Sequence, residues 1–425
     1  MKIYSPPKKI LILGANYETA PLVNTAKELG LITYVTDNNP HAYAKKFADV
    51  KLDIDGLDVE NLSEYVLKER IDGVMVGVAD RLVKPYVFLC EKLELYCYGS
   101  ANTIHSLTNK VEFNLILEKF NLKTIPKYTQ QKALSLPPED FPLLVKPADG
   151  NSGQGFTVCN SSEFLPEAID HALASSNSRQ VLIEKYMDCD DLFLYFTFIE
   201  GRCYLSATAD RITLKSQGKG SPVCQAANYP SKYMGLYLEN FHEKIVALFN
   251  DLSIRDGVLC ISAFVHNNEM YFYDPGFRLQ GEGPHIHLEN LLDVDHKKML
   301  VSFAMGNGMG NTNHANIDPT FANKRALTLW FLLREGKIHK ITGMEKFKPD
   351  PIVHTIGQRL TIGDHVSSKM IGTEAQVFAR FYLVANSKSD INFKVDQLIK
   401  AIRVLDEDGT NLIVGFESNI DKIYA

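Results

Sequence analysis

The sequence predicts a multidomain protein that combines an α/β domain with α+β domains. Three observations support this fold class. First, the chain has 425 residues, enough for two to four domains of ordinary size. Second, strand-like apolar segments alternate with helical segments over roughly the first 100 residues, which predicts a parallel sheet. Third, from Phe141 onwards the pattern changes to strands and hairpins, interrupted by two longer helical segments.

In the first region, the strand Lys9–Leu13 ends at Gly14, and the elements that follow are the helix 19–29, the strand 31–36, the helix 62–68 and the strand 73–78. Parallel sheets bind ligands beyond the carboxyl ends of their strands. A dinucleotide site is disfavoured, because Asn16 and Thr19 stand where a GxGxxG motif needs glycines.

The second region is predicted to be mixed, with strands at 143–146, 156–159, 181–185, 192–199 and 203–210 and helices at 163–174 and 237–252. A helical stretch at 109–119 and the pair Pro137-Pro138 precede it and indicate a hinge. The last segment begins near Asp318, with a hairpin at 337–342, a strand at 375–384 and a helix carrying Val395, Leu398, Ile402 and Leu405 on one face. It contains no evident catalytic cluster, so we expect it to cover the site or to pair.

The composition excludes several classes of protein. A net charge of −6 argues against an extended nucleic-acid or membrane surface. Apolar runs fall short of the roughly 18 residues of a membrane helix, and the run at 10–13 is too short for a signal peptide. The seven cysteines include no CxxC pair, so we expect neither a disulfide framework nor a zinc site. We expect a cytoplasmic protein without nucleic-acid or membrane partners.

The strongest local signal is the stretch 144–156, LVKPADGNSGQGF. A predicted strand delivers Lys146, and the loop that follows contains Ser152, Gly153 and Gly155. Backbone N–H groups of such a loop can surround phosphate oxygens, because glycine permits close approach and positive φ angles. The loop is not a P-loop, since no GK[ST] follows at the required spacing. A plain glycine-rich hairpin is the alternative interpretation of this stretch taken alone.

A second stretch, VLIEKY at 181–186, ends a buried strand in Glu184, Lys185 and Tyr186, and Asp191 follows shortly afterwards. A strand end of this kind presents backbone groups to the edge of an adenine, while a nearby acid binds ribose hydroxyls.

A third stretch, EMYFYDPGFRLQGE at 269–282, places an acid, an arginine and a second acid four residues apart, at Asp274, Arg278 and Glu282. Close to a phosphate cradle, this pattern suits Mg²⁺ binding, anion clamping and proton transfer.

In order and spacing, these motifs resemble the ATP-grasp superfamily over roughly residues 8–310, together with Asn109-Lys110 and Ile125-Pro126. The relatives it resembles include biotin carboxylase, the carbamoyl-phosphate synthetase large subunit and the carboxylate–amine ligases. The resemblance implies a pre-ATP-grasp α/β domain at 1–112, a small lid subdomain with the glycine-rich loop at 113–185, a large subdomain with the metal and substrate sites at 186–317, and a small β-rich C-terminal α+β domain at 318–425.

The resemblance also implies an ATP site. Lys110 and Lys146 correspond to the family's phosphate contacts. Glu184 corresponds to the residue that accepts from the adenine amino group or holds the hinge, and Asp191 stands where the family has a ribose-binding glutamate. The remaining implied ATP contacts are the hinge backbone and the loop: Lys185, Tyr186, Ser152, Gly153 and Gly155.

The implied Mg²⁺ site departs from the family pattern, which is an acid on one strand and Glu-x-Asn on the next. The first ligand position falls on Ser262, or on Ala263 after a shift of one residue, and the second motif reads Asp274-Pro275-Gly276. One carboxylate with phosphates and waters suffices for one Mg²⁺, but the two missing ligands argue against a second ion. Glu269 and His266 are alternative ligands, although hairpin surface positions explain them better.

Arg278, Gln280 and Glu282 match the R-x-Q-x-E arrangement of biotin carboxylase. This match implies that Arg278 holds an acyl phosphate and that Glu282 acts as a base, with Lys146 as the third catalytic residue. The resemblance assigns substrate binding to Arg211, Lys215 and Gln280, and we expect His285, which follows this stretch closely, to line the acceptor pocket.

The sequence therefore predicts an ATP- and Mg²⁺-dependent carboxylate–amine ligase that forms an amide through an acyl phosphate and releases ADP and phosphate. Its expected partners are a small-molecule carboxylate and an amine, and its C-terminal domain is expected to cover the site or to form a homodimer. One alternative is a bicarbonate-activating enzyme like the carboxylases or carbamoyl-phosphate synthase. The other is an ATP-binding protein without catalysis.

Overall fold

The computed structural model describes residues 7–148, 155–176, 178–214, 223–310 and 314–424. Three residues of the predicted site lie outside these ranges, namely Ser152, Gly153 and Lys215. Most described strands belong to a parallel sheet, a small antiparallel sheet and a large mixed sheet. This arrangement confirms the predicted combination of α/β and α+β folds.

The first sheet is parallel and flanked by helices. Its elements are β1 (Lys9–Leu13), α1 (Ala20–Glu28), β2 (Ile32–Thr36), β3 (Val50–Leu52), α2 (Val59–Glu69), β4 (Gly73–Val76) and α3 (Val83–Leu93), with the strand order β3-β2-β1-β4. β1 and β4 are almost entirely buried, as expected for strands covered on both faces. Glu18 and Asp80 follow these two strands at the carboxyl edge of the sheet.

Two capped helices connect this sheet to the rest of the chain: α4 (Ala101–Thr108) and α5 (Lys110–Lys119). The side chain of Asn109 accepts hydrogen bonds from the backbone N–H groups of Val111 and Glu112, at 2.9 and 3.3 Å. This N-cap makes Lys110 the first residue of α5. The predicted helix at 109–119 is confirmed.

The small sheet is antiparallel and has a helix on one face. After β5 (Lys123–Thr124), its elements are β6 (Lys127–Tyr128), α6 (Gln130–Leu134), β7 (Leu143–Pro147), β8 (Thr157–Cys159), α7 (Leu165–Ala174) and β9 (Val181–Lys185), with the order β6-β9-β7-β8. Leu143, Val145 and Ile183 pack in one core with the apolar side of α7. Because side chains alternate along a strand, Lys146 and Glu184 lie on the opposite face.

The large sheet has nine described strands in the order β18-β20-β15-β12-β11-β10-β13-β14-β5. Its central elements are β10 (Asp190–Ile199), β11 (Arg202–Leu214), β12 (Val223–Tyr229), α8 (Met234–Asn240), α9 (His242–Asp251), β13 (Gly257–His266), β14 (Glu269–Gly276), α10 (Pro284–Leu292) and α11 (His296–Ala304). The last segment adds β15 (Arg325–Leu332), β16 (Gly336–Lys337), β17 (Lys340–Thr342), β18 (Val353–Gln358), β19 (His365–Val366), β20 (Val377–Ala385), α12 (Lys388–Ala401), β21 (Arg403–Leu405) and α13 (Ile420–Ile423). Through β12 and β15, strands of this last segment continue the sheet that carries the predicted site.

Three local predictions are wrong. The stretch 337–342 is not a hairpin, because β16 pairs with β19 and β17 pairs with β21. The predicted helix 237–252 is split into α8 and α9 near Phe241. The last helix ends at Ala401, so Leu405 lies on a strand although its spacing suits a helical face. In the first and third cases, pairing with distant chain segments overrides the local pattern.

The core is continuous between the first sheet and one side of the large sheet, with a second cluster under the last segment. Trp330 on β15 is fully buried, and burial of a side chain of this size contributes about 2–3 kcal/mol. Among the described residues, no helix is both long and apolar enough to cross a membrane.

Candidate active site

Two lysines and two carboxylates meet where the small sheet faces α5 and β14. Lys146 on β7 forms an ion pair with Glu184 on β9, with Nζ and Oε2 2.5 Å apart. Burial and then the Lys146 ammonium lower the pKa of Lys110, while the carboxylates of Asp274 and Glu184 oppose this effect. The structure therefore brings together four residues that the sequence singled out in four separate motifs. A cluster of lysine ammonium groups, of which Lys110 is exposed and Lys146 largely buried, is suited to binding phosphate.

Lys127 belongs to the same cluster, and sequence reasoning gave it no role. It lies on β6 directly opposite Glu184 on β9. Burial lowers the pKa of Lys127, and among nearby groups Glu184 opposes this effect, whereas Lys146 and Lys110 add to it. The only signal in the sequence was its position directly after Ile125-Pro126.

The predicted hinge residues are engaged within the protein. The backbone N–H of Lys185 donates to the carbonyl of Pro126 at 2.9 Å, and that of Tyr186 donates to Pro142 at 3.1 Å. The Lys185 ammonium donates to the carbonyl of Asp140 at 2.7 Å. Their role in nucleotide binding stays a prediction. Gly155, the first described residue after the loop, has a φ angle of +73°.

Asp191, Arg211 and Glu282 form a largely buried ion network. Asp191 on β10 lies opposite Arg211 on β11, with Oδ2 and Nη1 3.5 Å apart. The other terminal nitrogen of Arg211 lies 2.9 Å from Oε1 of Glu282. Burial raises the pKa of Asp191 to about 6, although Arg211 and a hydrogen bond from the Tyr273 hydroxyl oppose this effect. Arg211, the expected substrate-binding residue, thus pairs with both the expected ribose-binding residue and the expected base.

Arg278 joins the first sheet to the end of β14. Its guanidinium pairs with the carboxylate of Asp80 and donates to the side-chain oxygen of Gln280 at 3.2 Å. The Gln280 amide in turn donates to the carbonyl of Gly276 at 3.4 Å. Sequence reasoning missed Asp80, although its place after a parallel strand was a signal.

The expected metal ligands differ in exposure. Asp274 is exposed at the end of β14, whereas Ser262 is 2% exposed on β13, opposite Tyr273. Among the described residues, no group of three or more His, Cys, Asp and Glu residues is arranged to hold a metal ion. A Cβ at Gly276 would lie 2.8 Å from Nε2 of Gln280, so the Gln280 amide occupies the space that an asparagine side chain would need.

His285 is buried in the first turns of α10, and its Nδ1 has no hydrogen-bond partner. Burial lowers its pKa well below the usual value, and neighbouring Lys297 and His296 lower it further. The assignment of His285 to a substrate pocket stays a prediction. The alternative ligand Glu269 pairs with Lys123 at 3.1 Å on the surface.

The last segment contributes a charged cluster that its sequence did not reveal. Arg380 on β20 pairs with Glu374 and lies 3.2 Å from Oε1 of Glu18, and Arg359 lies 3.5 Å from the same oxygen. The guanidinium of Arg359 also stacks over the ring of Tyr17 at 5.6 Å. This cluster joins the carboxyl edge of the first sheet to the segment that was expected only to cover the site or to pair.

Comparison with known proteins agrees with this architecture. The family described as "D-ala D-ala ligase C-terminus" matches residues 110–214, which include the lysine cluster and Arg211. The carbamoyl phosphate synthase large chain of Clostridium beijerinckii is 27% identical over 199 residues, covering 42% of this chain and 18% of that protein. The family match, this relative and the solved structures below all indicate the ATP-grasp superfamily. The match covers less than a fifth of the length of this relative.

Solved structures share this ATP-grasp fold over nearly the whole chain. The L-amino acid ligase from Bacillus licheniformis superposes with a TM-score of 0.76 at 16% identity, covering 95% of this chain and 100% of that chain. The biotin carboxylase domain of 2-oxoglutarate carboxylase from Hydrogenobacter thermophilus, solved as a dimer with MgADP, ADP and bicarbonate, gives a TM-score of 0.76 at 16% identity, with 99% of each chain covered. At these identities the likeness establishes the fold.

Proposed function

We propose that this ATP-grasp protein is an ATP-dependent carboxylate–amine ligase that forms an amide through an acyl phosphate and releases ADP and phosphate. The observation that carries the proposal is the convergence of Lys110, Lys127 and Lys146 around Glu184, close to Asp274. Phosphoryl transfer depends mainly on positioning and on neutralising the charge of the transferred group. The lysine cluster supplies that charge, and Lys146 shortly precedes the glycine-rich loop in the sequence.

In the first step, an oxygen of the substrate carboxylate attacks the γ-phosphorus of ATP, and the bond to the β-phosphate oxygen breaks to release ADP. Lys110 and Lys146 bind the phosphate oxygens, and the ammonium of Lys146 exchanges its pairing with Glu184 for the nucleotide. Arg211 holds the carboxylate, and Arg278 stabilises the acyl phosphate. Fixed cations of this kind act strongly because they need no reorganisation during the reaction.

In the second step, the amine nitrogen attacks the carbonyl carbon of the acyl phosphate, and inorganic phosphate leaves. Glu282 accepts the proton that the nitrogen loses. The ion pair with Arg211 supports this role, because it orients the side chain of Glu282. Closure of the small sheet over ATP excludes water and protects the acyl phosphate from hydrolysis.

The residues present fit a Mg²⁺ ion that arrives with the nucleotide. Asp274 offers an exposed carboxylate close to the lysine cluster, and phosphate oxygens and water complete the coordination that Mg²⁺ prefers. When bound, the ion neutralises charge on the transferred phosphoryl group. Ser262 and Gly276 add no carboxylate, so the proposal includes one metal ion.

A second candidate, activation of bicarbonate, is favoured by one observation. Within the R-x-Q-x-E group, Arg278 donates a hydrogen bond to Gln280, and the biotin carboxylase domain of similar fold was solved with bicarbonate. ATP turnover that requires bicarbonate and ignores carboxylates and amines would favour this function. ATP binding without ADP release under any condition would instead indicate a non-catalytic protein. We further propose a cytoplasmic location, where ATP is available, and a homodimer, as that domain was solved as a dimer.

The experiment that tests the ligase is a screen of ADP release against a panel of carboxylic acids and amines with Mg²⁺ present. We expect one acid and amine pair to stimulate ADP release, with an amide detected by mass spectrometry. Lys146→Ala abolishes the stimulated release, because the phosphate loses a cation of the site. Lys132→Ala, an exposed lysine on α6 of the same small sheet region, is the matched control and keeps wild-type activity. Full activity of Lys146→Ala would overturn the site assignment.

A further inference from the structure

Two side chains of strand β20, in the last segment, bind the turn that carries Glu282. Arg380 on β20 donates from Nη1 to the backbone carbonyl of Gly281. The hydroxyl of Tyr382, two residues further along the same strand face, donates to the carbonyl of Glu282 at 3.5 Å. Two side chains of one buried strand thus bind the carbonyls of two consecutive residues of the turn.

The turn also packs directly on Tyr382. Gly283 has a φ angle of +79°, and a Cβ at this position would lie 2.4 Å from the Tyr382 hydroxyl. Glycine is therefore required here both by the backbone angle and by the contact. On both sides of Glu282, the backbone therefore packs directly against side chains of β20.

Arg380 is itself held rigidly. It is 4% exposed, its guanidinium lies 5.6 Å from the centre of the Trp330 ring, and it pairs with Glu18 and Glu374. A buried guanidinium with several fixed partners has little freedom to follow a moving turn. Arg211 binds only the carboxylate of Glu282, whereas side chains of β20, together with the hydrogen bond from the Gly283 N–H to the Gln280 carbonyl, hold the backbone that carries it.

We propose that Arg380 and Tyr382 are positioning residues that fix the turn at 281–283 and thereby aim the Glu282 carboxylate at the reacting amine. This inference rests on the proposed role of Glu282 as the base. It gives the last segment a role in the reaction beyond covering the site, because side chains of β20 fix the backbone that carries the proposed base.

Arg359 provides a matched control. It lies near the same Glu18 oxygen and 3.3 Å from the same Glu374 carboxylate as Arg380. Among the described residues, none of its hydrogen bonds reaches the turn at 281–283. A loss of activity that arises from Glu18 or Glu374 appears in variants of both Arg359 and Arg380. A loss that arises from the turn appears only in variants of Arg380 and Tyr382.

The first measurement is hydrogen–deuterium exchange of the peptide that covers the turn, in the full-length protein. We expect faster exchange in Arg380→Gln and Tyr382→Phe and wild-type exchange in Arg359→Gln. Equal exchange in all of these proteins would overturn the proposal. This readout does not require activity, so it decides the positioning of the turn even if the ADP-release screen refutes the ligase function.

The second measurement is steady-state kinetics with the acid and amine found by the screen. We expect kcat to fall about 100-fold in Arg380→Gln and about three- to tenfold in Tyr382→Phe, with KM for ATP unchanged. In a Glu282→Gln background, Tyr382→Phe causes no further loss, because residues acting through one group are not additive. Additive losses in that background, or an equal loss in Arg359→Gln, would overturn the proposal. If Arg380→Gln does not fold, Tyr382→Phe, which removes a single oxygen, decides it.

Discussion

Lys146 and Glu184 lie on neighbouring strands of the small sheet and form an ion pair that is 13% and 5% exposed. Asp274 and then Glu184 oppose the lowering of the Lys110 pKa, and Glu184 is the largest opposing group for the pKa of Lys127. We expect Glu184→Gln to lower the pKa of both lysines further, because three ammonium groups then share the site without it. The loss of a buried partner lowers the free energy of unfolding by about 3 kcal/mol.

Urea denaturation measures this loss of stability, and carbon-detected NMR titration of the lysine side chains measures the pKa values. Glu167→Gln on the exposed side of α7, in the same region of the chain, serves as the control and changes neither quantity. Unchanged lysine pKa values in Glu184→Gln would show that the four charges do not interact as the structure indicates.

Lys127 extends the proposed phosphate site. We expect Lys127→Met to weaken ATP binding about ten- to 100-fold, because one charge-assisted contact contributes about 1.5–3 kcal/mol. Isothermal titration calorimetry with ATP and Mg²⁺ measures the change. Lys123→Met is the matched control, since Lys123 is four residues away but pairs with Glu269 on the surface. Equal ATP affinity in the two variants would exclude Lys127 from the site.

The local motifs that point to the site could be predicted from the sequence because each is formed by neighbouring residues. Two of these motifs are visible as short patterns. One is a strand that places Lys146 just before a glycine-rich loop, and the other is a strand with Glu184 near its end. The parallel sheet was predictable for the same reason, since its strands and helices alternate along the sequence.

The partners of these residues could not be predicted in the same way. Arg278 binds Asp80 across 198 residues of sequence, and Arg380 reaches Gly281 across 99. No periodicity connects such positions, so only the packing of the sheets reveals them. The large sheet illustrates the same limit, because the pairing of β12 with β15 depends on which strand edge remains open after the central strands have paired.

Three buried histidines predict how stability depends on pH, and one of them is His285, whose pKa burial lowers well below the usual value. Burial lowers the pKa of His287 to about 3 and that of His296 to about 4, whereas both groups titrate near 6.5 when unfolded. Below pH 6.5 these three histidines bind protons in the unfolded chain but not in the native protein, so stability falls as the pH decreases towards 4. Asp191, with its raised pKa of about 6, acts in the opposite sense and gains stability as it is protonated.

We therefore expect the free energy of unfolding to fall by about 1.4 kcal/mol per pH unit for each histidine between pH 6 and pH 4.5, offset in part by Asp191. Urea titrations at several pH values measure this slope. His296→Gln reduces the slope by about one proton, and His339→Gln, at an exposed position, leaves it unchanged. An identical slope in wild type and His296→Gln would show that His296 is not the buried neutral group described.

The Glu-x-Asn pattern of the ATP-grasp superfamily suggests the substitution Gly276→Asn, which introduces the amide side chain of that pattern at this position. We expect this variant to be less active than wild type, because even a Cβ at position 276 would lie 2.8 Å from Nε2 of Gln280 and 3.3 Å from Sγ of Cys260. The displaced Gln280 no longer accepts from Arg278, so the proposed acyl-phosphate contact is disturbed. ADP release as a function of Mg²⁺ concentration separates two outcomes. A lower turnover at every Mg²⁺ concentration follows from the steric argument, whereas a lower Mg²⁺ requirement with full turnover would show that the site accepts the family ligand and that Gln280 does not replace it.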